Sequence, residues 1–489
     1  MSAAPALPRT VAPQEVTVPP RSPEPFNALL PAAAGERFRQ AVDEGRRVLD
    51  GRVVWNINST AKGGGVVELL RPLVAYARGV GVDARWVVIG GTPEFFAVTK
   101  RIHNHLHGTE GDGGALDEHA REVYESVLAA NLQQFPGLVR EGDVVLVHDP
   151  QPAGMIPAML DAGAAVIWRC HVGIDEPSDL AREAWAFLHD YVAGADVCVF
   201  SRASYAWDNL DRERVVVIPP TIDVFSPKNV DIDADTVRAT LQIGGVLTGP
   251  AAPGSITFER PDGTPGRVER RARIVEDAPL PPEAPVVLQV SRWDGLKDPV
   301  GVIRGFGEHV PADTSAHLIY AAPDVESVAD DPEGLRMLQQ SVAARDALPD
   351  DARRRVHLVS LPMDDVDENA FMVNALQRHA SVVVQKSLAE GFGLTVAEAM
   401  WKARPVVASR VGGIQDQIVD GDSGVLLDDP RDLAGFGAAI TGLLVDAPRA
   451  ERIGARARER VREQFLNARS LTDYAGVVRR VLNGRLDAG

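Results

Sequence analysis

Cysteine is nearly absent from this chain: 489 residues hold two, Cys170 and Cys198. Each lies inside an apolar, strand-like run, so both read as small buried hydrophobes of a reducing compartment, which excludes a disulfide framework. Long apolar runs are missing too. Nothing approaches the roughly 18 apolar residues of a membrane span. The first 25 residues are rich in Pro, Ala and polar residues and hold no run that would serve as a signal peptide. A cytoplasmic protein with no membrane partner is the expectation. Positive charge is in deficit, 51 Lys and Arg against 68 Asp and Glu, a net of −17. That balance argues against nucleic acid and anionic membranes as partners. It leaves phosphate-bearing small molecules open, because a few local cations suffice to read those.

What is present is an ordinary globular composition, 45% apolar and 24% charged, on a chain too long for one core. Residues 1–35 are rich in proline with weak periodicity and read as a disordered or loosely packed tail. Short Val- and Ile-rich runs then alternate with helical patterns. The runs are Arg52 to Asn58, Arg85 to Ile89, Asp143 to Val147, Ala165 to Cys170, Asp196 to Phe200 and Arg214 to Ile218. Val66, Leu69, Leu70, Leu73, Val74 and Ala77 recur at helical spacing. Such alternation marks a parallel sheet buried on both faces. It spans 36–228, breaks over the Pro/Gly-rich residues 229–285, and resumes over 286–489. In the break, Ser255 to Arg260 and Arg267 to Ile274 flank Asp262-Gly263 and predict a hairpin, a surface excursion from a linker. Further strands are expected at Val286 to Val290, His317 to Tyr320, Val356 to Val359, Ser381 to Val384 and Pro405 to Ala408. Two charged helices, roughly Pro430 to Phe465 and Ser470 to Leu482, close the chain, the last possibly returning to the first domain. The fold class is α/β, two doubly wound Rossmann-like domains facing each other across a ligand cleft.

The chemistry concentrates at strand ends. Glu390-Gly391-Phe392-Gly393-Leu394 follows an apolar strand and leads into a helix carrying Glu398. Gly391 and Gly393 let backbone approach a ligand, and the helix start offers unpaired amides. Two carboxylates in this arrangement suit a nucleotide sugar, one acid on sugar hydroxyls and the other on a ribose. Gly63-Gly64-Gly65, between the first strand and its helix, forms an anion or sugar cradle; its spacing matches neither a P-loop nor the dinucleotide fingerprint. Arg292 and Lys297, again after a strand, can clamp a diphosphate, although a surface ion pair of Arg292 with Asp294 or Asp298 is the plainer alternative. His148-Asp149-Pro150-Gln151 and Arg169-Cys170-His171 cap two more strands. Two patterns imitate metal sites. His103, His105 and His107 read as an exposed polar loop, and Asp420-Gly421-Asp422 as a turn.

Taken together, the Gly-Gly-Gly loop, the Asp-Pro-Gln-Pro turn, Trp168-Arg169-Cys170-His171, Gln385-Lys386-Ser387, the paired glutamates, Ala399-Met400-Trp401-Lys402 and Arg410-Val411-Gly412-Gly413-Ile414 resemble one family. It is the trehalose glycosyltransferring synthases, retaining glycosyltransferases of family 4 with the GT-B fold. The resemblance covers roughly 50–228 and 285–480 and leaves out the tail and the inserted hairpin. It implies transfer of glucose from a nucleoside diphosphate glucose to free glucose, reversibly, to give trehalose. It implies Glu390, Arg292, Lys297 and His171 as catalytic residues. Substrate would be bound by Gly63, Gly64, Gly65, Asp149, Gln151, Arg169, Gln385, Gly391, Phe392, Gly393, Leu394 and Glu398. No cofactor or metal is required, with stimulation by Mg left open, and a homodimer is suggested. Three alternatives stay open: a retaining trehalose phosphorylase, a related glucosyltransferase with another acceptor, and a non-catalytic nucleotide-sugar sensor.

Overall fold

The computed structural model describes residues 12–135, 138–325 and 332–486. The chain divides into two compact units, one formed by Met1–Thr221 with Asn467–Gly489 and the other by Ile222–Leu466.

The first unit is built on a seven-stranded sheet in the order β1-β3-β2-β4-β5-β6-β7. The strands are β1 (Gln14–Glu15), β2 (Val53–Asn58), β3 (Asp83–Val88), β4 (Val144–His148), β5 (Ala165–Cys170), β6 (Val197–Phe200) and β7 (Val215–Val217). All neighbours pair in parallel except β1, which runs antiparallel to β3. Every residue of β4 and β5 is buried, as a sheet covered on both faces requires. The two-residue period sorts them: Trp55, Val145, Val147, Val166 and Trp168 enter one core, whereas Val54, Val144, Leu146, Ala165 and Ile167 enter the other. Helix Asn467–Leu486 adds Val477, Val478, Val481 and Leu482 to that second core. Strand order reverses between β2 and β4, which puts the loops after both strands at a crevice outside the carboxyl ends of the sheet.

The second unit repeats the plan with order β10-β13-β12-β11-β14-β15-β16. Here β10 is Arg273–Val275, β11 Val286–Val290, β12 His317–Pro323, β13 Val356–Leu361, β14 Val382–Gln385, β15 Val406–Ser409 and β16 Val425–Leu427. Only β10 is antiparallel to its neighbour. The order reverses between β11 and β14, so the loops after these two strands meet. No helix among the described residues is long and apolar enough to cross a membrane.

Four expectations need correction. The tail is loose only in composition: Gln14 and Glu15 pair with β3, and Phe26 is fully buried, with its ring 5.2 Å from that of Tyr76. The residues expected as a linker, 229–285, belong to the second unit. Their hairpin pairs β8 (Thr257–Glu259) with β9 (Pro265–Arg267), and Phe258 stacks on Phe371 at 4.8 Å. Arg260 grips Asp365 with two hydrogen bonds. The second arm ends early because β10 leaves it to edge the large sheet. The long helix expected from Pro430 is two, Leu433–Val445 and Ala447–Gln464, broken at Asp446, whose side chain caps the second. Finally, His103 and His105 lie in helix Pro93–Leu106 and His107 ends it; the polar loop begins only afterwards.

Candidate active site

In the second unit, β14 delivers Lys386 and Ser387 to a turn, and helix Leu394–Trp401 starts eight residues later. The turn is tied to the loop after β11 by Gln289, fully buried, whose amide accepts from Lys386 N at 3.1 Å and donates to Lys297 O at 2.9 Å. Leu388 N donates to Leu296 O at 2.8 Å. Charge then bridges the two loops twice. Lys297 Nζ lies 2.6 Å from Glu390 Oε2, and the fully buried Lys386 ammonium meets Asp298. Asp298 holds φ +48° while its carboxylate caps helix Pro299–His309. Ser387 Oγ adds a 3.2 Å bond to Glu390.

Glycine geometry explains the backbone here. Gly393 has φ +81°, where a side chain is strained. A Cβ on Gly413 would stand 2.8 Å from Phe392 Cα and 3.0 Å from Gly391 O. Added at Gly391, it would meet nothing within 4 Å, so that backbone faces open space. Phe392 and Gln385 are differently placed from the expectation. Phe392 is buried, its ring 5.9 Å from Phe465. Gln385 is buried with its amide on Ser387 and Thr395, so both shape the loop from behind. Leu394 opens the helix and is half-buried.

Glu398 is 2% exposed. One oxygen lies 3.1 Å from Lys228 Nζ, and the other is buried without a hydrogen-bond partner. Lys402, one turn on and buried, donates to Asn229 Oδ1 at 2.9 Å and to Glu398 O at 3.2 Å. Burial holds its pKa well below the usual lysine value. Sequence reasoning missed Lys228, Asn229 and the role of Lys402. The four-residue step from Glu398 to Lys402 was a usable signal, but nothing local announces Lys228. Arg292 is exposed and forms a 2.8 Å ion pair with Asp294, the plainer of its two readings.

In the first unit, Gly63 and Gly64 hold φ +66° and +82°, with nothing within 4 Å of an added Cβ, and Gly65 begins helix Gly65–Gly79. Asp149 has φ +65°. Its Oδ1 accepts His171 N at 2.7 Å, which ties the turn after β4 to the end of β5. Burial raises its carboxyl to about 6. Gln151 follows in the same turn, half-buried. Arg169 is 2% exposed; Nη2 donates to Ser201 Oγ at 3.1 Å, while Nε and Nη1 are buried without partners. His148 Nδ1 lies 3.4 Å from His171 Nε2, the rings nearly parallel. Burial, with Arg169 nearby, lowers His148 to about 3 and His171 well below the usual histidine range. His148, Arg169 and His171 line a cavity of about 20 Å³, room for about one water molecule, walled opposite by Leu69, Leu70 and Leu73. The two metal look-alikes stay apart from these clusters. His105 faces Glu183 at 3.5 Å, and Asp420 accepts Leu426 N within its turn. No three His, Cys, Asp or Glu gather as a metal site among the described residues.

Residues 56–207 match the family described as trehalose synthase, N-terminal domain, and 368–460 match glycosyl transferases group 1. A trehalose synthase of Pyrococcus horikoshii is 34% identical over 91% of this chain and 94% of its own length. A trehalose phosphorylase of Pleurotus sajor-caju is 26% identical over 76% of this chain and 50% of its own. Among solved structures, a UDP-forming α,α-trehalose-phosphate synthase of Burkholderia xenovorans, in complex with glucose-6-phosphate, superposes with TM-score 0.63. It has 16% identity and covers 88% of this chain and 100% of that one. Two Rossmann-like sheets, both glycosyltransferase matches and near-complete coverage of a trehalose synthase lead to one conclusion: the chain belongs to the trehalose synthase family, trehalose-related hexosyltransferases of GT-B fold.

Proposed function

We propose that the protein transfers glucose, with retention, from a nucleoside diphosphate glucose to free glucose, forming the α,α-1,1 linkage of trehalose. The observation that carries this reading is the Lys297–Glu390 pair, 2.6 Å apart, at the mouth of a loop whose Gly391 backbone faces open space. A carboxylate held by a cation in reach of bare backbone suits a ligand with both hydroxyls and an anionic leaving group. In this reading Lys297 and Arg292 neutralise the diphosphate as the glycosidic bond breaks, the largest stabilisation such a site can supply. Arg292 would leave Asp294 to do so, a small cost for an exposed pair. Glu390 and the amides following it hold the glucose hydroxyls, and Glu398 holds the ribose. His171 is assigned to the donor glucose, with Gly63 to Gly65, Asp149, Gln151 and Arg169 serving the sugars on the first unit. No carboxylate is offered as a covalent nucleophile; the acceptor hydroxyl attacks the face the diphosphate leaves, and a phosphate oxygen takes its proton. The cations make a metal unnecessary for this step.

The trehalose phosphorylase match favours a second reading, in which inorganic phosphate replaces the diphosphate and Glu398 has no ribose to hold. Incubation with glucose plus ADP-, UDP- or GDP-glucose, and separately with trehalose plus phosphate, tests both. Trehalose and free nucleoside diphosphate from the first mixture support the transferase. Glucose 1-phosphate from the second alone replaces it with the phosphorylase, and no turnover in either rejects both.

A further inference from the structure

The protons on two histidines of the first unit are fixed by a carbonyl two residues beyond them. Asn56, 3% exposed, brings Nδ2 to 3.3 Å from Arg85 O and Oδ1 to 3.2 Å from His148 Nε2. A carbonyl oxygen only accepts, so the amide must turn its N–H to Arg85 and its oxygen to His148. That oxygen also only accepts, so His148 carries its proton on Nε2. A neutral imidazole has one N–H, which leaves His148 Nδ1 as a lone pair. At 3.4 Å it faces His171 Nε2, which must therefore be the protonated nitrogen of His171. The opposite arrangement would set oxygen against oxygen at Arg85, or lone pair against lone pair further along. Both rings are 100% desolvated and near Arg169, which keeps them neutral. The end of the chain is His171 Nδ1, buried and without a partner, on a residue that lines the same small cavity as Arg169.

We propose that Asn56 and His148 are positioning residues that lock His171 in the Nε2–H tautomer, so that Nδ1 is presented as an acceptor for a hydroxyl. The orphaned Nε and Nη1 donors of Arg169 complement it, because a hydroxyl needs one acceptor for its proton and donors for its lone pairs. The cavity, about 20 Å³, admits a single hydroxyl or water and no more. An imidazole locked in the other tautomer would offer a donor beside the arginine donors, and would repel the proton of that hydroxyl. The hydroxyl being one of a sugar rests on the glucosyl-transfer reading; the tautomer does not.

The test is long-range proton–nitrogen correlation on protein labelled with nitrogen-15 in histidine, assigned by single-histidine variants. His171 and His148 are both expected with a bare Nδ1 and a protonated Nε2 at neutral pH. In His148→Leu, His171 should average between tautomers and glucosyl transfer should fall on the order of tenfold. His148→Asn, whose Oδ1 takes the place of the imidazole Nδ1, should restore both. A His171 protonated on Nδ1, an imidazolium at pH 7, or an unchanged His171 spectrum in His148→Leu would overturn the proposal. Should the protein transfer no glucose at all, the function is wrong, while the nitrogen spectra still decide the relay.

Discussion

Lys297 Nζ and Glu390 Oε2 stand 2.6 Å apart with side-chain exposures of 14% and 13%, so water screens this ion pair little. A charged hydrogen bond there is worth roughly 1.5–3 kcal/mol. Glu390→Gln keeps the shape and removes the charge; kcat/KM for glucosyl transfer should fall about 10–100-fold. A variant that matches the parent in a steady-state assay would remove Glu390 from the mechanism.

Arg292 makes a contrasting prediction. Its side chain is 74% exposed, and an exposed pair adds little to stability. Arg292→Ala should therefore unfold within about 0.5 kcal/mol of the parent in urea yet lose on the order of 100-fold in rate. Loss of stability without loss of rate would make it a structural residue.

The loop glycines separate stability from binding. A methyl group at Gly391 meets nothing, so Gly391→Ala should melt normally while the donor KM rises, because the methyl occupies ligand space. Gly413→Ala drives its methyl into the backbone of Phe392 and Gly391. It should destabilise by about 1–3 kcal/mol and impair donor binding from behind the loop. Melting curves and donor titrations on the two variants read both effects.

Acid stability follows from opposed shifts in the first unit. Burial lowers His148 from 6.5 to about 3, so its contribution is present above pH 6.5 and is lost as pH falls towards 3; His171 acts in the same direction. Asp149, raised to about 6, acts oppositely: its contribution is present below about pH 4 and is lost as pH rises through 6. The histidines outweigh it, so stability should drop on acidification from pH 7 to 4. His148→Asn should flatten that drop in denaturant melts, and a steeper drop would refute the assignment.

Much of this was legible in sequence because it rests on local pattern. Valine-rich runs bounded by Asp, Gly and Pro set β2, β4, β5, β11 and β14 within a residue or two, and site loops follow from where such strands end. Arg273 to Val275 was not legible as a sheet edge, since three residues carry no periodicity and their partner β13 lies some 80 positions away. Lys228 was hidden for the same reason: its partner is Glu398, and no spacing rule links them. Gln385 and Phe392 show the converse error. Both sit in the motif, but a strand alternates its faces, and the loop needs residues that hold it as well as residues that present it.

Helix Asn467–Leu486 inserts Val477, Val478, Val481 and Leu482 among Val18, Val54, Leu70 and Ile167. A ribosome making this polypeptide releases the first unit's strands long before that helix emerges. Until then one side of the earlier-made unit has no cover over its valines and leucines, whereas Ile222–Leu466 is already whole. Nascent chains stalled near residue 466 should accordingly bind chaperones through the unit made first.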